Sequence, residues 1–283
     1  MPIPFKKALA VSGPFSLNSA LMPKLLFFLG LALLAAAQHQ PLTGPQLVQK
    51  TIAYHDPQGQ WPTLRTRLFF ESTSAAGKAS TFEVELDNAT GYFCHISHPG
   101  GREVVKGVVN GQEVFLLDGV PNPSDEDRKK FRLTAGAAQG TRNFHTYLYG
   151  LPMKLRDAGT RVAPEAPMQA LLGKTYPTVQ VSYDPAVGQD TWSFYLDPRT
   201  YALQAYRFYH HKEPNDGEYV LLNQVLNVEG IQLPKERKWY LNKDDAYLAT
   251  DRLLKAEPLS TQRLRAPEPS RTTKKKAEQI LWT

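Results

Sequence analysis

Four clusters in the 283-residue chain hold side chains that do chemistry. His210-His211 with Asp216 and Glu218 offers two imidazoles and two carboxylates, the donor types of a zinc site or of a general acid–base pair. Neighbours in a strand point to opposite faces, so both imidazoles chelate one ion only if the strand ends between them. Cys94, His95 and His98 supply soft donors beside a turn, without a fourth ligand. His55-Asp56 sits where a helix gives way to Pro57, and an aspartate there prepares a turn. Asp244-Asp245 reads as a turn too, because a calcium loop needs more oxygen ligands at set spacing. A glycine-rich phosphate loop, a nucleophile elbow and a His-Glu-x-x-His helix are all missing. The sequence therefore predicts no catalytic residue, no metal and no cofactor. Cys94 is the only cysteine, so no intrachain disulfide forms, and within Gly91–Ile96 it is expected to be a packed thiol.

The elements that would position these groups are mostly strands. Thr43 to Tyr54 reads as a helix with Thr43 as its cap, ended by Pro57 and Gly59. From there the apolar period is two. Strands are expected over 63–72, 78–87, 91–97, 102–109 and 112–117, with hairpin turns at Pro99-Gly100-Gly101 and Asn110-Gly111. A helical insertion, 123–153, follows. Ser124 caps one short helix, and Arg142–Tyr149 forms a second, ended by Gly150 and Pro152. Strands resume over 174–184, 190–196, 201–210, 217–228, 231–241 and 247–255. About eleven strands joined by tight turns permit antiparallel neighbours only.

Several strands carry aromatic bulk on both faces. Trp192, Phe194 and Leu196 oppose Tyr195; Tyr206 and Phe208 oppose Leu203, Ala205 and Tyr209; Trp239 opposes Tyr240. A sheet wet on one side does not do this, so something covers each face. The expected architecture is mainly antiparallel β with a few short helices, a curled half-barrel of about eleven strands with a helical lid. A closed barrel or sandwich with a filled core fits the same pattern. In the half-barrel reading Tyr147, Leu148, Tyr149, Leu151 and Met153 are lid residues. Phe82, Trp192, Phe194, Tyr206, Phe208 and Trp239 form the wall of a ligand cavity. Ordinary core packing accounts for each of them equally well.

The ends differ from the middle. Leu25–Leu34 is an uninterrupted apolar run after Met22-Pro23-Lys24 and before Ala35-Ala36-Ala37, the layout of a cleaved signal peptide over 1–37. The start codon in use can then be Met22, and the absence of a cysteine after the run predicts a released protein. Positive charge is concentrated at the two ends, in Lys6, Lys7 and Lys24 and in the tail, 258–283, read as disordered. The part between, 38–257, is close to neutral and is read as one domain. A nucleic-acid binder concentrates positive charge on its folded part, so nucleic acid is not an expected partner. No stretch is long enough for a transmembrane helix in the mature chain.

The stretches Ile52–Pro57, Tyr147–Lys154, Asp190–Pro198, Asn215–Tyr219, Gly230–Pro234 and Trp239–Asp245 resemble an exported family of Bacteroidota to which no activity is attached. The likeness runs from about Leu47 to Leu254. More distantly, the hairpins at Leu196–Thr200 and Gly230–Pro234 are similar to those of outer-membrane lipoprotein-sorting and carrier (LolA-like) proteins. That resemblance implies an open antiparallel half-barrel with a helical lid, holding acyl chains. The leading expectation is a periplasmic or secreted, non-catalytic protein that binds a hydrophobic small molecule, lipid or lipoprotein. A secreted hydrolase or metal-dependent enzyme using His210, Asp216 or His55 is the second, and it needs a cleft where those groups converge. An envelope protein-interaction module, docking a protein partner through exposed aromatics, is the third.

Overall fold

The computed structural model describes residues 41–121 and 123–265. The expected signal peptide, 1–37, lies outside the described residues, as does the tail beyond 265.

The described strands are β1 (Arg65–Ser74), β2 (Ala79–Asp87), β3 (Tyr92–Ser97), β4 (Val104–Val109), β5 (Gln112–Leu117), β6 (Val120–Pro121), β7 (Thr160–Val162), β8 (Met168–Leu171), β9 (Lys174–Tyr183), β10 (Thr191–Leu196), β11 (Leu203–Tyr209), β12 (Glu218–Val228), β13 (Ile231–Leu241) and β14 (Tyr247–Pro258). They form one open antiparallel sheet in the order β6-β5-β4-β3-β2-β1-β14-β13-β12-β11-β10-β9-β7, with β8 paired to β9 off this path. Two meanders are thus joined where the first long strand pairs with the last, Phe70 lying opposite Leu253. The turns are chemically dictated. Asn110-Gly111 and Glu229-Gly230 hold positive φ at both positions (51° and 75°, 50° and 87°), the geometry that lets a two-residue loop follow the strand twist. Fourteen strands replace the eleven expected. The extra three, β6, β7 and β8, have two to four residues, too few to display a period of two.

Helix α1 (Gly44–His55) starts with a capping box: Thr43 Oγ1 accepts from Gln46 N, and Gln46 Oε1 accepts from Thr43 N at 2.9 Å. Its first residue must be glycine, since a Cβ there would lie 2.0 Å from the Ala163 carbonyl oxygen. The Asp56 carboxylate ends it, accepting from Gln60 N at 2.7 Å and Trp61 N at 3.0 Å. In the connection between the meanders lie α2 (Asp125–Lys130), capped by Ser124, and α3 (Ala137–Gly150). Helix α3 begins one turn earlier than its apolar stripe implies. Glu113 of β5 accepts from Gly136 N at 2.7 Å and Gln139 N at 2.9 Å, a cap supplied from across the fold.

Both long helices lie on one face of the sheet, α1 against β9 and β13, α3 against β3, β4 and β5. One apolar cluster joins Leu47, Ile52, Leu148 and Leu151 to strand residues as far apart in the sheet order as Val108 and Val179. The sheet therefore curls around its helices, the half-barrel expected. The opposite face is covered piecemeal. Leu171 of β8 packs with Tyr195, Ala205 and Tyr219. Leu259 and Leu264, within the expected tail, pack on Tyr92, Cys94 and Val105. Residues 258–265 continue the packed domain beyond 257. They also bury Glu85, which strand alternation sends to the wet side. Its carboxylate is 0% exposed and accepts from Tyr92 Oη at 2.6 Å, from Arg67, and from Arg263 N at 3.2 Å.

Candidate functional site

All eleven ligand-binding candidates fall in the single cluster between α3 and the inner face of the sheet. The strand register explains this. Trp192 pairs with Phe208, and Phe194 with Tyr206, so these four rings share one face, Trp192 stacking on Phe208 at 4.4 Å and on Phe194 at 5.9 Å with Tyr206 tilted against Trp192 and Phe194. Tyr149, from the last turn of α3, stacks on Phe70 at 4.5 Å, and Phe70 on Phe82 at 4.8 Å. Leu148, Tyr149, Leu151, Met153, Phe194, Tyr206 and Phe208 are buried, while Phe82, Tyr147, Trp192 and Trp239 are half-buried. The seven buried residues are where helix meets sheet. The inner face is filled there by the protein's own side chains.

Open space lies where three of the half-buried four, Phe82, Tyr147 and Trp192, emerge. A cleft of about 520 Å³ runs between α3 and the β9–β10 connection, lined by Phe144, Tyr147, Tyr183, Val187 and Trp192 with Asn143, Gln189 and Asp190 at its polar edge. Tyr147 and Tyr183 join hydroxyls across it, and burial holds both phenols above their ordinary pKa, that of Tyr183 at about 12. A second cleft of about 580 Å³ opens over the β1–β2–β3 end, lined by Ser72, Ser80, Phe82, His95, Ser97 and His98.

Several groups at this centre carry no signal in the candidate set. Arg237 of β13 is buried with its guanidinium carbon 4.4 Å from the centroid of the Tyr149 ring, and donates to Pro234 O at 3.0 Å and Leu148 O at 3.4 Å. It occupies the inward phase of Ile231, Leu233 and Trp239, so its signal is a charge in the apolar phase of a strand, one it shares with Lys235. His145 of α3 stacks on His95 at 4.9 Å, and the Nδ1 of each is buried without a partner. Burial keeps both rings neutral, lowering His95 to about 4 and His145 well below its ordinary value, with the neighbouring His95 and Arg237 opposing a charge on His145 further.

The groups named for hydrolysis are occupied separately. The His55 Nδ1–H donates to Gln232 O at 2.5 Å and its Nε2 accepts from Leu203 N at 3.0 Å. Burial lowers its pKa to about 4, fixing a neutral tautomer with both nitrogens spent. Asp216 accepts from the backbone N–H groups of His210, His211, Lys212 and Glu213, shaping a loop. The His210 ring turns instead to Asp190, 3.0 Å away, while His211 Nε2 meets Thr191 Oγ1 at 2.7 Å. Cys94 packs on the outer face, where burial raises its thiol pKa, and His95 points inward, so the two do not converge. Among the described residues no group of three or more His, Cys, Asp or Glu is arranged to hold a metal ion, and no helix is long and apolar enough to cross a membrane.

The architecture is similar to known structures at low identity. A LolA superfamily protein from Nitrosomonas europaea superposes with a TM-score of 0.50 at 10% identity, over 78% of this chain and 96% of that one. A putative outer membrane lipoprotein-sorting protein domain from Vibrio parahaemolyticus gives 0.46 at 11% identity, over 78% and 93%. A DUF1329 family protein from Desulfovibrio piger gives 0.46 at 7%, over 76% and 93%. The first of these establishes a shared fold. No curated protein matches the chain. A family model matches residues 24–256, nearly the whole of the described domain, and on that match the chain belongs to DUF6503, a family of unknown function.

Proposed function

We propose that this chain is an exported, non-catalytic carrier, periplasmic or secreted, that holds an acyl chain or similar apolar ligand between the inner face of its half-barrel and helix α3. The observation that carries the reading is the placement of Tyr147–Met153. The lid segment seals an aromatic wall of Phe82, Trp192, Phe194, Tyr206, Phe208 and Trp239, and an open cleft with aromatic walls and a polar rim that includes Lys154 and Asp157 adjoins it at Tyr147 and Trp192. Because the interior is filled, binding requires the last turn of α3 to withdraw and the chain to take its place. Each methylene sheltered contributes about 0.8 kcal/mol, so a medium-length chain supplies ample affinity without polar chemistry. The shared fold with a LolA superfamily protein supports the same reading.

Gentle purification followed by organic extraction and mass spectrometry tests it, alongside displacement of an apolar dye by dodecanol. Co-purifying lipid and dye displacement are the expected results. Protein that carries no lipid and binds neither dye nor dodecanol would end the carrier reading. The filled interior also favours a second reading, an envelope interaction module. Its surface is the outer face at Tyr247, which is exposed, and half-buried Tyr240, 5.6 Å apart and backed by the buried Tyr219 ring at 5.0 Å from Tyr240.

A further inference from the structure

Arg237 is 1% exposed, inside an apolar cluster. A guanidinium has five N–H donors and no acceptor. Two are spent on the Pro234 and Leu148 carbonyls, and the Nε–H has no partner. Its cross-strand neighbour Asp251 does not pair with it but accepts from Trp239 Nε1 at 2.9 Å. A second buried donor is also unspent: the Tyr206 hydroxyl, on a fully buried ring, has no acceptor for its proton, and its oxygen is turned to the Arg237 guanidinium. His145, stacked 5.5 Å from Tyr149, adds an unpartnered Nδ1. Three polar groups of this apolar centre, on β11, β13 and α3, therefore have hydrogen-bonding capacity that the protein leaves unused.

What α3 supplies to Arg237 is the Leu148 carbonyl and the face of the Tyr149 ring. Both belong to the turn that must withdraw for a chain to enter. Once it moves, the guanidinium is left in an apolar cavity with the Pro234 carbonyl alone. A neutral ligand would leave that charge uncompensated, which is costly, whereas a carboxylate or phosphate oxygen pair matches the guanidinium fork. We infer that the ligand is an amphiphile with an anionic head, a carboxylate or a phosphate monoester, received by Arg237 and the Tyr206 hydroxyl in place of the last turn of α3. This inference rests on the carrier reading and names the chemistry of its ligand.

The test compares four probes with one chain length and different heads, dodecanoate, dodecyl phosphate, dodecanol and dodecyltrimethylammonium, each below its micellar concentration, by calorimetry on the full chain. One or both anionic probes should bind at least about tenfold more tightly than dodecanol, and the cationic probe more weakly than dodecanol. Which anion binds best separates a fatty acid from a phosphorylated lipid. Arg237→Met should abolish the preference, with dodecanol bound no more weakly than by wild type because the uncompensated charge is gone, and Arg237→Lys should retain part of it. Tyr206→Phe, which keeps the ring packed, should reduce the preference roughly threefold, so the inference stays exposed if Arg237→Met fails to fold. Equal binding of dodecanoate, dodecyl phosphate and dodecanol would sink this inference and leave the carrier reading standing. So would a preference that survives Arg237→Met or is untouched by Tyr206→Phe. Failure of all four probes to bind would remove the carrier reading, and this inference with it.

Discussion

Helix α1 and helix α3 share the concave face, yet they are secured in different ways. Helix α1 has a capping box at one end, a double carboxylate bond from Asp56 at the other, and a histidine whose two nitrogens both reach backbone on β11, β13 or their connections. Its buried face presents Leu47, Val48 and Ile52, and Thr51 Oγ1 is its one buried polar side-chain atom without a partner, a hydroxyl rather than a ring beside a guanidinium. Helix α3 has no side-chain cap of its own and borrows Glu113. It contains a buried histidine with an orphaned nitrogen, an exposed phenylalanine, and a last turn tied to the sheet by a long bond from Arg237. Satisfied polar groups make an element permanent, while unsatisfied ones lower the cost of displacing it. On the carrier reading, α1 is the fixed plug and α3 the part that leaves.

The largest effect expected from this contrast is in α1. Ile52→Ala should cost about 2–5 kcal/mol in denaturant unfolding, as buried large-to-small changes do, with the whole domain losing stability together. Native-state hydrogen exchange sharpens the point. Amides of α3 should open at a free energy below that of global unfolding, while those of α1 exchange only with it. Equal protection of the two helices would dissolve the distinction.

Acid gives the next effect. His55 and His95 have folded pKa values near 4 against an ordinary 6.5. The unfolded chain therefore binds protons that the folded one refuses. Stability is full above about pH 6.5, falls as pH drops from there to about 4, and levels off below. The slope is at most about 1.4 kcal/mol per pH unit for each group. In α3 the consequence is local, because opening exposes His145 and its stacked partner His95. His145→Phe should flatten the acid dependence of α3 exchange and leave the share of His55 in global stability unchanged. A variant that still opens α3 with the same pH profile would refute that assignment. A smaller change comes from Tyr147→Phe, which removes one hydroxyl from the pair with Tyr183. The survivor lines a cleft and can turn to water, so about 0.5–1.5 kcal/mol is expected by thermal or chemical denaturation.

Much of this arrangement was legible from alternation alone. Trp192, Phe194, Tyr206 and Phe208 lie on one face because a strand side chain has a period of two, and the turn after β10, where Asp197 Oδ1 accepts from Arg199 N and Thr200 N, fixes the register that pairs them. What stayed hidden depends on contacts distant in sequence. The first turn of α3 forms because Glu113 caps it from β5, 23 residues earlier. Glu85 reads as solvent-facing until the segment around Leu264 is laid over it. A strand pattern says which face a residue occupies but not how deeply that face is covered, so the candidate cavity and the filled core looked alike. Arg237 is a charge in the phase of Ile231, Leu233 and Trp239, but Lys235 shares that phase and is only half-buried, so alternation alone does not tell which charge is enclosed.

The smallest expected effect concerns Phe144, and it discriminates most finely between a lid and a static core. The ring is 52% exposed on α3, at the edge of the cleft beside Trp192, and lies parallel to Trp239 at 6.3 Å. It contributes little to the fold, so Phe144→Ser should change stability by no more than about 0.5 kcal/mol. If chains enter past Tyr147 and Trp192, the same substitution removes apolar area from the mouth and should weaken dodecanol binding roughly threefold, in proportion to the surface lost. Ile52→Ala, by contrast, should weaken the fold without altering affinity in the protein that remains folded. A Phe144→Ser protein that binds as well as wild type would place the entrance elsewhere. The serine-lined cleft over β1–β3, floored by Phe82 and His95, would then be the route, and α3 would swing from its opposite side.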